Sequence, residues 1–435
     1  MVNRPSIIDL AEKLWNGEGD LANEHHPVHS RFPWGEEIVE NVLVYKSTAS
    51  ANVIDTRDGL VMLDTGGQFD VDTLYDEVRK WRSSDRLCAA VFSHHHVDHV
   101  FGMARFEREA TDLGLPYPVV YAHKSLPSNF QRYLRMPGWN TAINERQFEP
   151  GGLEFAMPKA FREPDITYSD SLSASYGELT FQLHHARGET DDATWTWVPE
   201  LRILHPGDLF IWAVPNAGNP QKVQRYVGEW ATALRKMASL NPEILLPGHG
   251  LPIIGSGRVY QALTDTAELL ESLQSQTVTM MELGATLDQV CHEVKIPQHL
   301  LDKPYLQAVY DHPQFLVRNI WRQFGGWYDG EPDNLLPAPR AEQAKEWITL
   351  AGGLDKVIER TKLLQSEGNL RLACHLIEFG VLAFPNSNEV HQVRSEIYQE
   401  RSLSETASMA RNILGHTSRS SQAGTRDLAR RVLEQ

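Results

Sequence analysis

The chain has 435 residues, 41% hydrophobic and 23% charged, a composition that excludes disorder, collagen-like fibres and coiled coils and fits two or three globular domains. With 41 Lys+Arg against 57 Asp+Glu, its net charge of -16 lacks the basic footprint that nucleic-acid backbones and anionic membranes select, so neither is expected as a partner. Three widely spaced cysteines, Cys88, Cys291 and Cys374, form no disulfide framework, no apolar run approaches the roughly 18 residues of a membrane span, and no signal-like apolar core opens the chain, so a cytoplasmic location is expected.

Residues 1–35 read as a polar lead-in broken by Pro and Gly, with His25, His26 and His29 expected to be exposed. From residue 42 the character changes. Short β-rich runs at 42–46, 51–56 and 60–64 precede a helix-period segment at 71–82 and a buried strand at 88–92. Further strand patterns stand at 118–122, 179–184, 201–204 and 244–246, with an amphipathic helix at 223–240. Strands alternating with helices predict a layered α/β domain over 36–256. Residues 257–340 read as a helical, then aromatic-rich, connecting region. Residues 341–435 are helical again, with a break at Pro385 to Asn388, and the Ser-, Arg- and Gly-rich end beyond Leu414 is expected to fray.

Directly after the strand at 88–92, His94, His96, Asp98 and His99 stand in the order H-x-H-x-D-H. Four nitrogen and oxygen donors within six residues of a strand end can turn alternately toward two neighbouring points, and imidazole with carboxylate suits zinc, manganese or iron. His185, Asp208 and His249 each follow a strand pattern with glycine close by. Singly each reads as an ordinary loop residue; together with the histidine loop they read as one site.

In these motifs the chain resembles the metallo-β-lactamase-fold hydrolases. The resemblance implies an α/β fold, an αββα sandwich with two metals between its sheets. His94, His96 and His185 would hold one metal and Asp98, His99 and His249 the other, with Asp208 bridging. Asp64, in Leu-Asp-Thr-Gly-Gly, would orient ligands from behind. The run from Gly326, Gly-Trp-Tyr-Asp-Gly-Glu-Pro-Asp-Asn-Leu, and segments around Gly352, Gly368 and Asn386 resemble the alkyl sulfatases and their helical dimerisation domain. That implies an all-α dimerisation domain after the sandwich, and a homodimer or higher oligomer formed through it.

The chain departs from that family in the third motif. Alkyl sulfatases read Gly-Thr-Glu there, with the Glu as ligand, whereas here Glu189 precedes Thr190. His185 is therefore taken as the ligand and Glu189 as its support or alternative. The family's sulfate-contacting Arg falls at Gln221, with Lys222 beside it. The family's Asn matches Asn216, and a family His falls at Phe315, with His312 nearby. Losing an Arg and a His removes charge-assisted contacts to an anion.

The expected function is metal-dependent hydrolysis of a small ester with an apolar tail by a metal-activated water. The expected cofactors are two divalent ions, zinc first, with manganese or iron as alternatives. Asp98 would serve as ligand and as orienter or proton acceptor of the water, Asn216 would assist, and His205, His312 or a metal-bound water would protonate the leaving group. Phe32, Trp34, Trp139, Trp195, Trp197, Phe210, Trp212, Trp321 and Trp327 are candidates for an aromatic pocket, Trp212 first, although most are expected in the core. Gln221 also suits a neutral substrate, such as a carboxylic ester, a lactone or an aryl alkyl ether. A diiron redox or non-catalytic interaction protein is the remaining alternative.

Overall fold

The computed structural model describes residues 5–29, 33–148 and 157–429; Phe32 lies outside them. Contacts group the chain up to Leu134 with Lys159–Gly326 in one unit, and Arg135–Pro158 with the stretch from Trp327 in a second.

Two mixed sheets form the first unit. One is ordered β1 (Trp34–Val39), β2 (Val42–Lys46), β3 (Ala51–Asp55), β4 (Leu60–Leu63), β5 (Leu87–Val91), β6 (Val119–His123) and β7 (Ile166–Tyr168), antiparallel as far as β4 and parallel from there. Strands β2, β4 and β5 are buried along their whole length, as strands covered on both faces must be. Leu74 and Val78 of the helix Val71–Trp81, with Met103 and Phe106 of Met103–Leu113, complete a core around Leu43, Met62, Phe92 and Phe130.

The second sheet runs β13 (Ile253–Ile254), β12 (Ile244–His249), β11 (Ile203–Ile211), β10 (Thr194–Val198), β9 (Leu179–His185) and β8 (Ser171–Tyr176). The sheets meet where strands end. Thr194 donates its backbone N–H to the Ser93 carbonyl at 2.7 Å, and Ser50 donates to Gly248 at 2.8 Å. Gly207 has φ +55, and a Cβ there would sit 2.6 Å from the Ser93 Cβ. Only glycine allows this approach, which seats the loop after β5 against the ends of β11 and β12.

The lead-in is built in rather than exposed. The helix Ile7–Trp15 is capped by Ser6, whose hydroxyl also donates to Glu36. His26 is buried, its Nε2 3.0 Å from the Val309 carbonyl and its ring tilted against His29 with centroids 4.3 Å apart. The stretch 257–326 also differs from its expected role as a connector. The helix Ser256–Glu282 buries Leu263, Leu270 and Leu273 and sets Gln274 against Gly228 of the helix Val227–Ser239, so it belongs to the sandwich unit.

The second unit is helical: Arg340–Leu350, Leu354–Ser366, Leu370–Ala383, Asn388–Leu403 and Ser408–Gln422, around Ile358, Leu364, Ile377, Val381, Val390 and Ile397. The helix Pro137–Phe148 joins it from within the first unit's sequence. Arg146 pairs with Asp427 at 2.7 Å, and Asn412 donates to the Gln147 carbonyl at 2.8 Å. Beyond Leu414 the chain continues as helix to Gln422, with His416, Ser418 and Ser420 buried, instead of fraying. No helix among the described residues is long and apolar enough to cross a membrane.

Candidate metal centre

The loop after β5 turns on Asp64, at the end of β4, which holds φ +56, an uncommon conformation that Asp and Asn tolerate better than most residues. Its fully buried carboxylate accepts from the Ser93 backbone N–H at 2.7 Å, the Ser93 hydroxyl at 2.8 Å and His99 Nδ1 at 2.7 Å. Burial would raise its pKa, but the charge and hydrogen bond of His99, with His205 and His94, hold it below the usual carboxylate value. Ser93 Oγ lies 2.9 Å from His94 Nδ1, and His249 Nδ1 lies 2.5 Å from the Thr48 carbonyl. Each of these three histidines therefore has one nitrogen occupied from behind and its Nε2 turned forward, the arrangement that fixes tautomer and aim in metal sites.

What lies forward is two groups of donors. His94, His96 and Asp208 offer atoms within 4.8 Å of one another, and so do Asp98, His99 and His249. His94 Nε2 and His96 Nδ1 are 2.8 Å apart. Asp208 lies between the groups, 3.8 Å from His94, 3.4 Å from His99 and 3.3 Å from His249. Asp98 lies 3.3 Å from His249 and 3.7 Å from His99. With its side chain 30% exposed, it is the carboxylate of the site that reaches the opening. Gly248 follows from the crowding, since a Cβ there would stand 2.1 Å from Asp208 Oδ1.

Electrostatics ask for cations at this spot. Burial and Asp208 push Glu189 up to about 8, although Arg225 opposes them. Burial would lower His249, yet Asp208 and Asp98 raise it to about 10; burial and the charge of His99 lower His94 to about 4. His99 Nε2 and Asp208 Oδ1 are buried and face each other at 3.4 Å without a well-formed hydrogen bond, an arrangement that is costly unless an ion satisfies them. Two His/Asp triads sharing a bridging carboxylate fit a dinuclear metal site.

Neither Glu189 nor His185 is one of the six triad residues, but Glu189 is the nearer to them. Its carboxylate is buried, 3.6 Å from His96 Nδ1, and accepts from Asn216 Nδ2 and from Arg225 Nη2 at 3.3 Å; Arg225 also donates to its backbone carbonyl. His185 instead stacks on His123, with ring centroids 3.7 Å apart, and its Nδ1 sits 3.1 Å from the Ala193 carbonyl, outside both triads. At the end of β9 its ring faces β6 rather than the metal loop. His184, on the other face of β9, stacks on Trp195.

Other expected residues move too. His205 is fully buried behind Asp64, at 3.5 Å from it, and has no path to a leaving group. Trp212 is 1% exposed and donates its indole N–H to the Leu251 carbonyl at 2.7 Å; it is core, not pocket. Trp34, Trp195, Trp197, Phe210 and Trp321 are buried as well, while Trp139 and Trp327 belong to the second unit. His312 caps the helix Pro313–Gly325 by accepting from Gln314, with Phe315 beside it, and Gly218 packs on the Phe315 backbone. Gln221 donates its backbone N–H to Asn219 Oδ1 at 3.0 Å.

Arg225 and His95 carried no sequence signal as site residues, and Lys222 only its place beside Gln221. Arg225 clamps Glu189. His95 is braced between Asp192 at 2.9 Å and Arg132 at 3.0 Å, facing away from its neighbours in the loop. Lys222 lies within the electrostatic reach of Glu189, Asp98, Arg132 and Arg225, and its ammonium makes no hydrogen bond or close ion pair among the described residues; burial and then Arg225 lower it to about 8.

Comparisons with known proteins agree with this geometry. The metallo-β-lactamase superfamily profile matches residues 45–249 and the alkyl sulfatase dimerisation profile matches 286–424. A linear primary-alkylsulfatase of Pseudomonas sp. is 27% identical over 348 residues, covering 76% of this chain and 66% of its own length. The alkyl/aryl-sulfatase BDS1 of Saccharomyces cerevisiae is 21% identical, with 86% and 62% covered. The stereoselective inverting sec-alkylsulfatase Pisa1 of Pseudomonas sp. superposes with a TM-score of 0.81 at 20% identity, over 91% of this chain and 66% of that one, a likeness of fold. The chain thus spans less than two thirds of the length of these relatives. It is a metallo-β-lactamase superfamily protein with an alkyl sulfatase dimerisation domain, distantly homologous to the alkylsulfatases.

Proposed function

We propose that this protein is a dinuclear metal hydrolase that cleaves sulfate esters of apolar alcohols. His94, His96, Glu189 and Asp208 would hold one ion and Asp98, His99, His249 and Asp208 the other, with zinc the ion best matched to this nitrogen and oxygen set. Two such ions would supply an acidified water and neutralise charge on the reacting oxygens. Asp98, at the opening, aligns the water and takes its proton. Asn216 and Arg225 keep Glu189 turned toward His96. The reaction consumes one water and yields an alcohol and sulfate.

One observation favours an anionic over a neutral substrate. The Arg missing at Gln221 is replaced by charge next to it: Lys222 sets an unpaired ammonium beside the carboxylates of the site. A half-buried cation without a partner is costly, and a sulfate ester would supply the partner. The helical unit supports a homodimer, and three unpaired cysteines fit a reducing cytoplasmic location.

The test is metal analysis of the purified protein, joined to turnover of an alkyl sulfate and of the carboxylic ester with the same tail. About two zinc ions per chain and chelator-sensitive turnover of the sulfate are expected. Turnover of only the carboxylic ester, or an iron-loaded coloured protein, would overturn the proposal.

A further inference from the structure

The helical unit contains a cleft of about 470 Å³, within the range of roughly 300–1,000 Å³ typical of small-molecule sites. It lies wholly inside that unit. Four guanidiniums line it, those of Arg146, Arg340, Arg394 and Arg426, against two carboxylates, Glu378 and Asp427. Both carboxylates are already shared. Asp427 accepts from Arg146 at 2.7 Å and lies 3.0 Å from His416 Nε2. Glu378 accepts from Arg394 at 2.6 Å and from Arg426 at 3.5 Å.

Two donors are left over. Arg340, exposed at the rim, has no hydrogen-bond or ion-pair partner among the described residues, and the Nε of Arg426 is buried with none. Nothing else on the lining supplies negative charge. Cys374 is a neutral thiol, since burial pushes its pKa up to about 11, and Tyr398 is raised further by burial and by Glu378. The cleft thus carries a formal surplus of two positive charges in a chain of net charge -16. Guanidiniums gathered at one place repel unless an anion joins them, and their planar forks suit bidentate oxyanions.

We infer that this cleft is a binding site for a small dianion with two or more oxygen acceptors, such as a phosphate, a sulfate or a short dicarboxylate, held chiefly by Arg340 and Arg426. The site is separate from the metal centre and does not depend on the reaction proposed there.

The experiment uses the full chain and reads Cys374, which lines the cleft. Its labelling by a methanethiosulfonate is followed by peptide mass spectrometry against rising phosphate or succinate, with chloride balancing ionic strength. Saturable protection is expected. Arg340→Ala should weaken its midpoint about tenfold or more, the scale of a lost charge-assisted contact, and Arg340→Lys should keep part of it. A stronger effect of phosphate than of succinate would identify a tetrahedral oxyanion, and the reverse a dicarboxylate. The inference is overturned if neither anion protects beyond chloride, if Arg340→Ala leaves the midpoint unchanged, or if Cys374 stays unlabelled even at alkaline pH, where its thiolate begins to form, because the cleft would then be closed to small molecules.

Discussion

Replacing Asp64 by Asn is a sharp test of how the metal centre is built. Asn tolerates the +56 φ at this position, so the backbone has no reason to move. Asp64 accepts from a backbone N–H that cannot rotate, the one on Ser93, and from His99 Nδ1 at 2.7 Å. The Asn carbonyl must keep facing Ser93, which turns the amide N–H₂ toward His99. Two donors then meet. The imidazole can escape only by moving its proton to Nε2, the nitrogen that faces Asp208 and Asp98 and that a metal would need. Forcing one state or the other costs about 1.4–2.7 kcal/mol, the tenfold to hundredfold loss of affinity usual for a residue that orients a ligand. We expect the ion held by Asp98, His99 and His249 to bind 10–100-fold more weakly in Asp64→Asn, measured by competition with a chromogenic chelator, with the far-ultraviolet circular dichroism spectrum unchanged. An affinity within twofold of wild type would refute the tautomer argument.

Glu189→Gln should lose one metal equivalent and at least a hundredfold in kcat, whereas His185→Ala should keep its full metal content; the reverse outcome would restore His185 as a ligand. Lys222→Ala should lower kcat/KM for an alkyl sulfate about 10–100-fold, the scale of a lost charge-assisted hydrogen bond, and leave hydrolysis of a neutral ester unchanged. Because burial depresses Lys222 to about 8, its ammonium is lost as pH rises through that value. The alkyl sulfate profile should therefore fall above pH 8 in wild type and stay flat in Lys222→Arg. In the helical unit, burial would raise the Asp427 pKa, but His416 and Arg146 hold it well below the usual carboxylate range. Its contribution is thus present above an unfolded value of about 4 and fades below that. Asp427→Asn should cost about 1–2 kcal/mol at pH 7 by urea unfolding, with the gap to wild type narrowing below pH 4.

The histidine loop was legible because its chemistry is local. His94, His96, Asp98 and His99 need only a strand end and a tight loop to reach two neighbouring points, and both are written in consecutive residues. The same holds for Asp208 and His249, each placed by a strand and a glycine. The choice between His185 and Glu189 was not local. It depends on which way a ring turns at the end of β9, where His185 stacks on His123 of the other sheet.

Aromatic residues misled for a related reason. Trp212 follows Asp208 closely, but its indole N–H finds the Leu251 carbonyl, so burial and a hydrogen bond take it into the core. Membership of the helical unit was hidden as well. The helix Pro137–Phe148 joins residues more than 250 positions away through Arg146–Asp427 and Asn412–Gln147, and no spacing pattern encodes so distant a pairing. The sequence by itself determined the layered α/β domain, the helical region after it and the ligands that neighbour one another along the chain, because strand period, helix period and loop spacing act over a few residues. Tertiary structure alone decided the Glu189 position, the clamp by Arg225, the unpaired Lys222 and the cationic cleft. Each of these exists only where segments distant in sequence exclude water from the same small volume and leave its charges to one another.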